Sequence, residues 1–192
     1  MAGKRGLTVE IITDTAIGLL EEYGLERLTI QELANRLSVK PASLYKHISG
    51  FEEIINLLAK SSLLQIEAVI RDIAVGRSKE DALMEMALAY RRFAKENPEL
   101  YKVFIRSASL EDPDLDETGR AIMRIIYQVL QSYECNYEDA IHFTRGFRSA
   151  LHGFITLEAA GFFHGKADVD ESFTKMIEGN IALLTNLNKR SI

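Results

Sequence analysis

Apolar residues recur at spacings of three and four along most of the chain, and no alternation of apolar and polar positions lasts more than a few residues, which predicts an all-α fold. A first helix is predicted from about Thr8 to Tyr23, burying Val9, Ile12, Ala16, Leu19, Leu20 and Tyr23, with Gly24 as its stop. Thr29-Ile30-Gln31-Glu32 has the form of a capping box, with Leu28 and Leu33 placed as a hydrophobic staple, so a short second helix should run to about Leu37. After a turn at Ser38-Val39-Lys40, Pro41 suits the first position of a third helix that holds Leu44, Tyr45 and Ile48. Ser49 and Glu52 form a second capping box at the head of a long helix reaching about Ala74.

Beyond Gly76, Ser78 and Asp81 open a helix to about Glu96, which Asn97-Pro98 ends because a residue before proline disfavours helical backbone. A shorter helix is expected around Tyr101 to Ala108. The stretch Leu110 to Glu117, with five acids and Pro113, reads as a solvated loop or helix entrance. Further helices are expected over about Glu117 to Tyr133, Tyr137 to Gly161 and Val169 to Leu187, with Asn136 and Asp139, then Asp168 and Glu171, as caps.

Composition narrows the classes. A chain of 192 residues, 47% hydrophobic, can fill a core without covalent staples, and the lone Cys135 cannot form an intramolecular disulfide, which suits a reducing cytoplasm. Lys4 and Arg5 are followed by Thr8-Val9-Glu10 rather than an apolar signal core, and no apolar stretch approaches membrane-spanning length, so neither export nor a membrane partner is expected. The four histidines, His47, His142, His152 and His164, form no helical ligand pair, and no nucleophile motif or phosphate loop appears. Neither an enzyme nor a metal or other cofactor is therefore expected. The formal charge of -5 argues, by itself, against a polyanion partner. Through Gly50, however, six basic and six acidic residues balance, so a basic surface survives there if the acids face elsewhere.

Thr29 to Ile48 has the layout of a helix-turn-helix. Small Ala34 lets two helices approach, and Leu33, Leu37, Val39, Leu44 and Ile48 supply the wedge between them. The other face, Lys40, Pro41, Ala42, Ser43, Tyr45, Lys46 and His47, mixes cations, hydroxyls and small apolar groups, which suits phosphate positioning and contact with thymine methyls. With its capped second helix, turn valine and Leu-Tyr-x-His run, the segment resembles the DNA-binding motif of the TetR family over roughly Val9 to Ala59. The resemblance implies that Lys40, Pro41, Ala42 and Ser43 enter the major groove, that Tyr45, Lys46 and His47 hold phosphates, and that Thr29 contacts the backbone. Ser38 stands where the family commonly has glycine, and Phe51 where it often has a phosphate-binding lysine. Lys4 and Arg5 are either a disordered start or a minor-groove arm.

The predicted helix from Asp139 to Gly161 is apolar almost all round and so should be covered on several sides, with Gly146, Gly153 and Ala160 forming a stripe of small residues. Paired with the last helix, it can build a four-helix dimer interface. Arg148 to Phe154 with Leu157-Glu158 resembles the His-Gly signature of one group of TetR-type C-terminal domains, and that resemblance implies an effector pocket. Tyr101, Phe104, Met123, Tyr127, Phe147 and His152 are the candidates, although periodicity alone places most of them in an ordinary core. The expected protein thus has a three-helix DNA-binding domain over 1–50 and a helical effector-binding and dimerisation domain over 51–192. It binds a palindromic double-stranded DNA operator as a homodimer, most simply as a repressor released by a small molecule. The rival expectation is a helical protein-interaction module that does not read DNA.

Overall fold

A computed structural model describes residues 6–74, 79–107, 113–133 and 135–187; Lys4, Arg5, Ser78, Ala108 and the first residues of the acidic stretch lie outside them. Among the described residues every regular element is helical: α1 (Val9–Tyr23), α2 (Ile30–Arg36), α3 (Pro41–Leu44), α4 (Phe51–Ala74), α5 (Lys79–Glu96), α6 (Pro98–Ser107), α7 (Pro113–Gln131), α8 (Tyr137–Ala159) and α9 (Val169–Leu187), with a single 3-10 turn at Leu25–Arg27. The chain divides into two compact units. One comprises Met1–Gln65 with Asn97–Thr118, the other Ile66–Glu96 with Gly119–Ile192.

In the first unit, the Thr8 hydroxyl accepts from the Ile11 amide and starts α1, whose buried stripe is Ile12, Ala16, Leu19 and Leu20. Val9 and Tyr23, expected inside, are exposed. The reason for Tyr23 is electrostatic. The Arg27 and Arg36 guanidiniums lie 5.1 and 5.9 Å from its ring centre, where cations are attracted to the π face. Gly24 ends α1 at φ 77°, a backbone conformation that favours glycine, and its amide returns to the Leu20 carbonyl. On the same helix, Glu21 accepts from the Leu100 amide at 2.7 Å and the Glu99 amide at 3.3 Å, so a carboxylate from α1 caps α6. Pro98 is the first residue of α6, where its missing amide hydrogen costs nothing.

The second unit is built on Leu83 and Ala87 of α5, Leu130 and Tyr133 at the end of α7, Ala140, Phe143, Phe147 and Leu151 of α8, and Phe173, Ile177, Ile181 and Leu184 of α9. Both expected caps form: Asn136 accepts from the Asp139 amide and Asp168 from the Glu171 amide, each at 2.9 Å. α7 starts at Pro113, four residues earlier than expected, because proline suits a helix start. α8 ends at Ala159, followed by Gly161 at φ 71°. The Gly161 amide bonds the Glu158 carbonyl and the Phe162 amide the Leu157 carbonyl, a Schellman closure that leaves two aliphatic and aromatic partners of that motif, Leu157 and Phe162, out in solvent. α8 is buried on one side only. Within the single chain Gly146, Gly153 and Ala160 are exposed.

Candidate DNA-binding surface

The Thr29 hydroxyl accepts from the Glu32 amide at 3.1 Å and sets the start of α2, with Leu28 and Leu33 both buried beside it. α2 closes in the same manner as α8. The Ser38 amide reaches the Asn35 carbonyl and the Val39 amide the Ala34 carbonyl, with Ser38 at φ 55°. The serine that replaces the family's glycine therefore adopts the left-handed conformation rather than avoiding it. That turn delivers the chain to Lys40, whose extended backbone precedes Pro41 at the head of α3.

α3 is one turn long, shorter than expected. Tyr45 already caps it, and Tyr45 to His47 form a turn in which the His47 and Ile48 amides both return to the Leu44 carbonyl. The segment is held from beneath by Leu44 and Ile48, both buried. Of the expected site residues, Thr29, Lys40, Ala42, Tyr45 and Lys46 are exposed, Tyr45 at 56%, while Pro41, Ser43 and His47 are half-buried. Among the described residues neither Lys40 nor Lys46 has an ion-pair partner. Arg36, by contrast, is turned back onto Glu22 at 2.7 Å, and the Tyr23 hydroxyl together with Arg36 holds that carboxyl below the usual carboxylate range. Cations at the two ends of α3 are thus left to solvent.

The expected capping box of Ser49 with Glu52 does not form: Ser49 donates to Glu53 instead. Glu53 accepts from the Ser49 amide at 2.5 Å and the Ser49 hydroxyl at 2.7 Å, which lowers its pKa, while Glu52 is exposed. One residue of helical rotation decides this, since Glu53 lies one full turn from Ser49. Phe51 is partly exposed at the head of α4 and offers no charge to a phosphate.

The six effector candidates are divided between the units. Tyr101 and Phe104, with rings 6.2 Å apart, are buried in α6 of the first. Met123 and Tyr127 of α7, Phe147 of α8 and His152 of α8 belong to the second, where Phe147 stacks on Phe143 at 5.3 Å and is core. His152 is half-buried. Its Nε2 accepts from the Arg148 Nε–H at 3.2 Å, and its ring meets Tyr90 edge-on at 5.5 Å. Burial, and next the Arg148 charge, push its pKa down to about 4, so the imidazole is neutral at physiological pH. Tyr90 was not among the sequence candidates, because a tyrosine on an amphipathic helix carries no local signal of its partner.

An all-helical chain in which a capped α2, a left-handed turn and a short α3 present uncommitted cations is a helix-turn-helix DNA-binding protein. Residues 12–56 match the family described as bacterial regulatory proteins, tetR family, and residues 83–179 match the Tetracyclin repressor-like C-terminal domain. The chain is 33% identical over 172 residues to an uncharacterised HTH-type transcriptional regulator of Mycobacterium tuberculosis, covering 89% of this chain and 78% of that one. To the uncharacterised HTH-type regulator YobS of Bacillus subtilis it is 30% identical over 190 residues, 98% of each. Its fold superposes with a TM-score of 0.72 on a TetR variant of Acinetobacter baumannii solved in complex with minocycline, at 20% identity, covering 94% of this chain and 98% of that one. The chain belongs to the TetR family of DNA-binding transcriptional regulators.

Proposed function

We propose that this regulator is a ligand-responsive repressor that binds a palindromic operator as a homodimer and leaves it when a small molecule binds. In this reading residues 1–50 touch DNA: Lys40, Pro41, Ala42 and Ser43 face base edges, Tyr45, Lys46 and His47 hold phosphates, and Thr29 contacts the backbone at the start of α2. The observation that carries it is the division of labour in and beside α3, where Leu44 is the one buried residue of the helix and Lys40, Ala42, Tyr45 and Lys46 are exposed.

The homodimer rests on the second unit. A β-carbon at Gly146, Gly153 or Gly179 would meet nothing within 4 Å, and Leu157, Phe162 and Leu183 beside that stripe are 43, 66 and 59% exposed. Glycine inside a helix costs up to about 1 kcal/mol relative to alanine, which close approach of a second helix offsets. Residues 51–192 then dimerise and take the effector; of the six candidates, Met123, Tyr127 and His152 belong to the second unit, are only partly buried and are the contacts it offers. Minocycline bound in a protein of the same fold supports a small-molecule effector here, and a coupling of about 1 to 3 kcal/mol suffices to empty an operator.

Binding to a random DNA pool, followed by titration of the selected site at several salt concentrations, tests the DNA reading. Lys46→Ala removes one phosphate contact per subunit, so the slope of log K against log salt should flatten by about 2 with base preference unchanged. Altered base preference with an unchanged slope would place Lys46 elsewhere.

A further inference from the structure

The second unit contains a buried arginine that the DNA and effector readings leave without a role. Arg91 of α5 has a side chain only 7% exposed, at a position in register with the core residues Leu83 and Ala87. Its Nε and Nη2 donate to the two carboxylate oxygens of Glu158 in α8, at 2.7 and 2.5 Å, and Nη2 also donates to Asp170 in the first turn of α9 at 2.7 Å. Lys95 Nζ adds a bond to Glu158 at 3.0 Å. The guanidinium lies 4.7 Å from the Phe173 ring centre and 5.6 Å from that of Phe154, and these rings meet edge-on while Phe163 of the α8–α9 connection packs on Phe154 at 4.6 Å.

We infer that Arg91 is a positioning residue for the dimer face, fixing the register and angle of α8 against α9; this rests on the homodimer reading above. Apolar contacts between the helices are non-directional, and by themselves tolerate small rotations and slides. A planar guanidinium that satisfies both oxygens of one carboxylate and one oxygen of another does not. The face proposed for dimerisation needs that rigidity because it is shared: Gly153 and Leu157 come from α8, Gly179 and Leu183 from α9, and the corner between them carries Phe162. A few degrees of relative rotation would split one complementary surface into two. Burying charge is costly unless paired, and here two cations meet two carboxylates, so the cluster can specify geometry without leaving a naked ion.

Full-length variants test this by sedimentation, with helix content followed by circular dichroism and amide hydrogen exchange across 160–172. Asp170→Asn keeps the shape of an exposed side chain and removes one anion, and Arg91→Lys keeps the charge but loses the fork. Both should retain wild-type helix content, exchange faster at the corner and dimerise about tenfold more weakly, a difference of about 1.4 kcal/mol. Arg91→Met should weaken the dimer further; should it fail to fold, the two milder variants still decide the matter. Folded variants with the wild-type dimerisation constant would overturn the assignment and leave the dimer standing. A wild type that is monomeric at micromolar concentration would sink both.

Discussion

At the residue scale, two side chains carry conformational or solvation cost that can be measured. Ser38 holds φ 55° in the turn between α2 and α3, and its neighbours' backbone bonds leave it no choice. A β-carbon in that region costs about 1 kcal/mol, so Ser38→Gly should raise stability by up to about that amount, less the extra entropy of an unfolded glycine, and Ser38→Val should lower it. Urea unfolding of the three proteins checks the order. His152 has a folded pKa of about 4 against 6.5 unperturbed, chiefly from burial. A depressed pKa means that its contribution is fully present above about pH 6.5 and is lost as pH falls toward 4, by at most about 3 kcal/mol. The upper part of this window lies above the range in which the hydrogen-bonded carboxyls of Glu53 and Glu158, both held low, begin to protonate. Stability measured between pH 6.5 and 5 should therefore fall in the wild type and stay flatter in His152→Phe.

At the element scale, caps decide where helices begin, and most of them were legible. Thr8, Thr29, Asn136 and Asp168 each stand three residues before the amide they satisfy, a spacing written directly in the chain. Glu21 is different, because it caps a helix that starts 77 residues later by numbering, at Pro98, through the Glu99 and Leu100 amides. Glu21→Ala leaves these donors to water and should cost about 1 to 2 kcal/mol in thermal or urea unfolding, with hydrogen exchange accelerated at those two amides. An unchanged exchange rate at Leu100 would mean that another acceptor takes over. Ser49 shows the limit of pattern reading: Glu52 and Glu53 both follow it, and the turn into α4 brings Glu53 to it in place of the expected capping box.

At the scale of the whole molecule, the bare stripe on α8 should control association. Gly153→Leu puts a branched side chain where a second helix is expected to approach, and its β-carbon meets nothing within 4 Å in the single chain. Its folding should therefore be intact, or improved by leucine's better helix propensity of up to about 1 kcal/mol, while the dimer dissociates at least tenfold more readily. Sedimentation beside urea unfolding separates the two effects. Equal dimer strength in the variant would move the interface off this face.

Local physics explains what the chain alone determined. Helix content, the caps at Thr8, Thr29, Asn136 and Asp168 and the uncommitted segment from Lys40 to Lys46 depend on bonds and spacings within a few residues, so they can be read from short windows. The family follows from the same segment. The tertiary structure alone decided which faces are covered. Tyr23 has the spacing of a core residue but lies out beneath two guanidiniums, α8 has apolar groups on several sides but is buried on one, and Arg91 carries a charge in a core register. Arg91 finds its carboxylates 67 and 79 residues away, a pairing that exists only once helices from distant parts of the chain have packed and removed the water that would otherwise hold each charge.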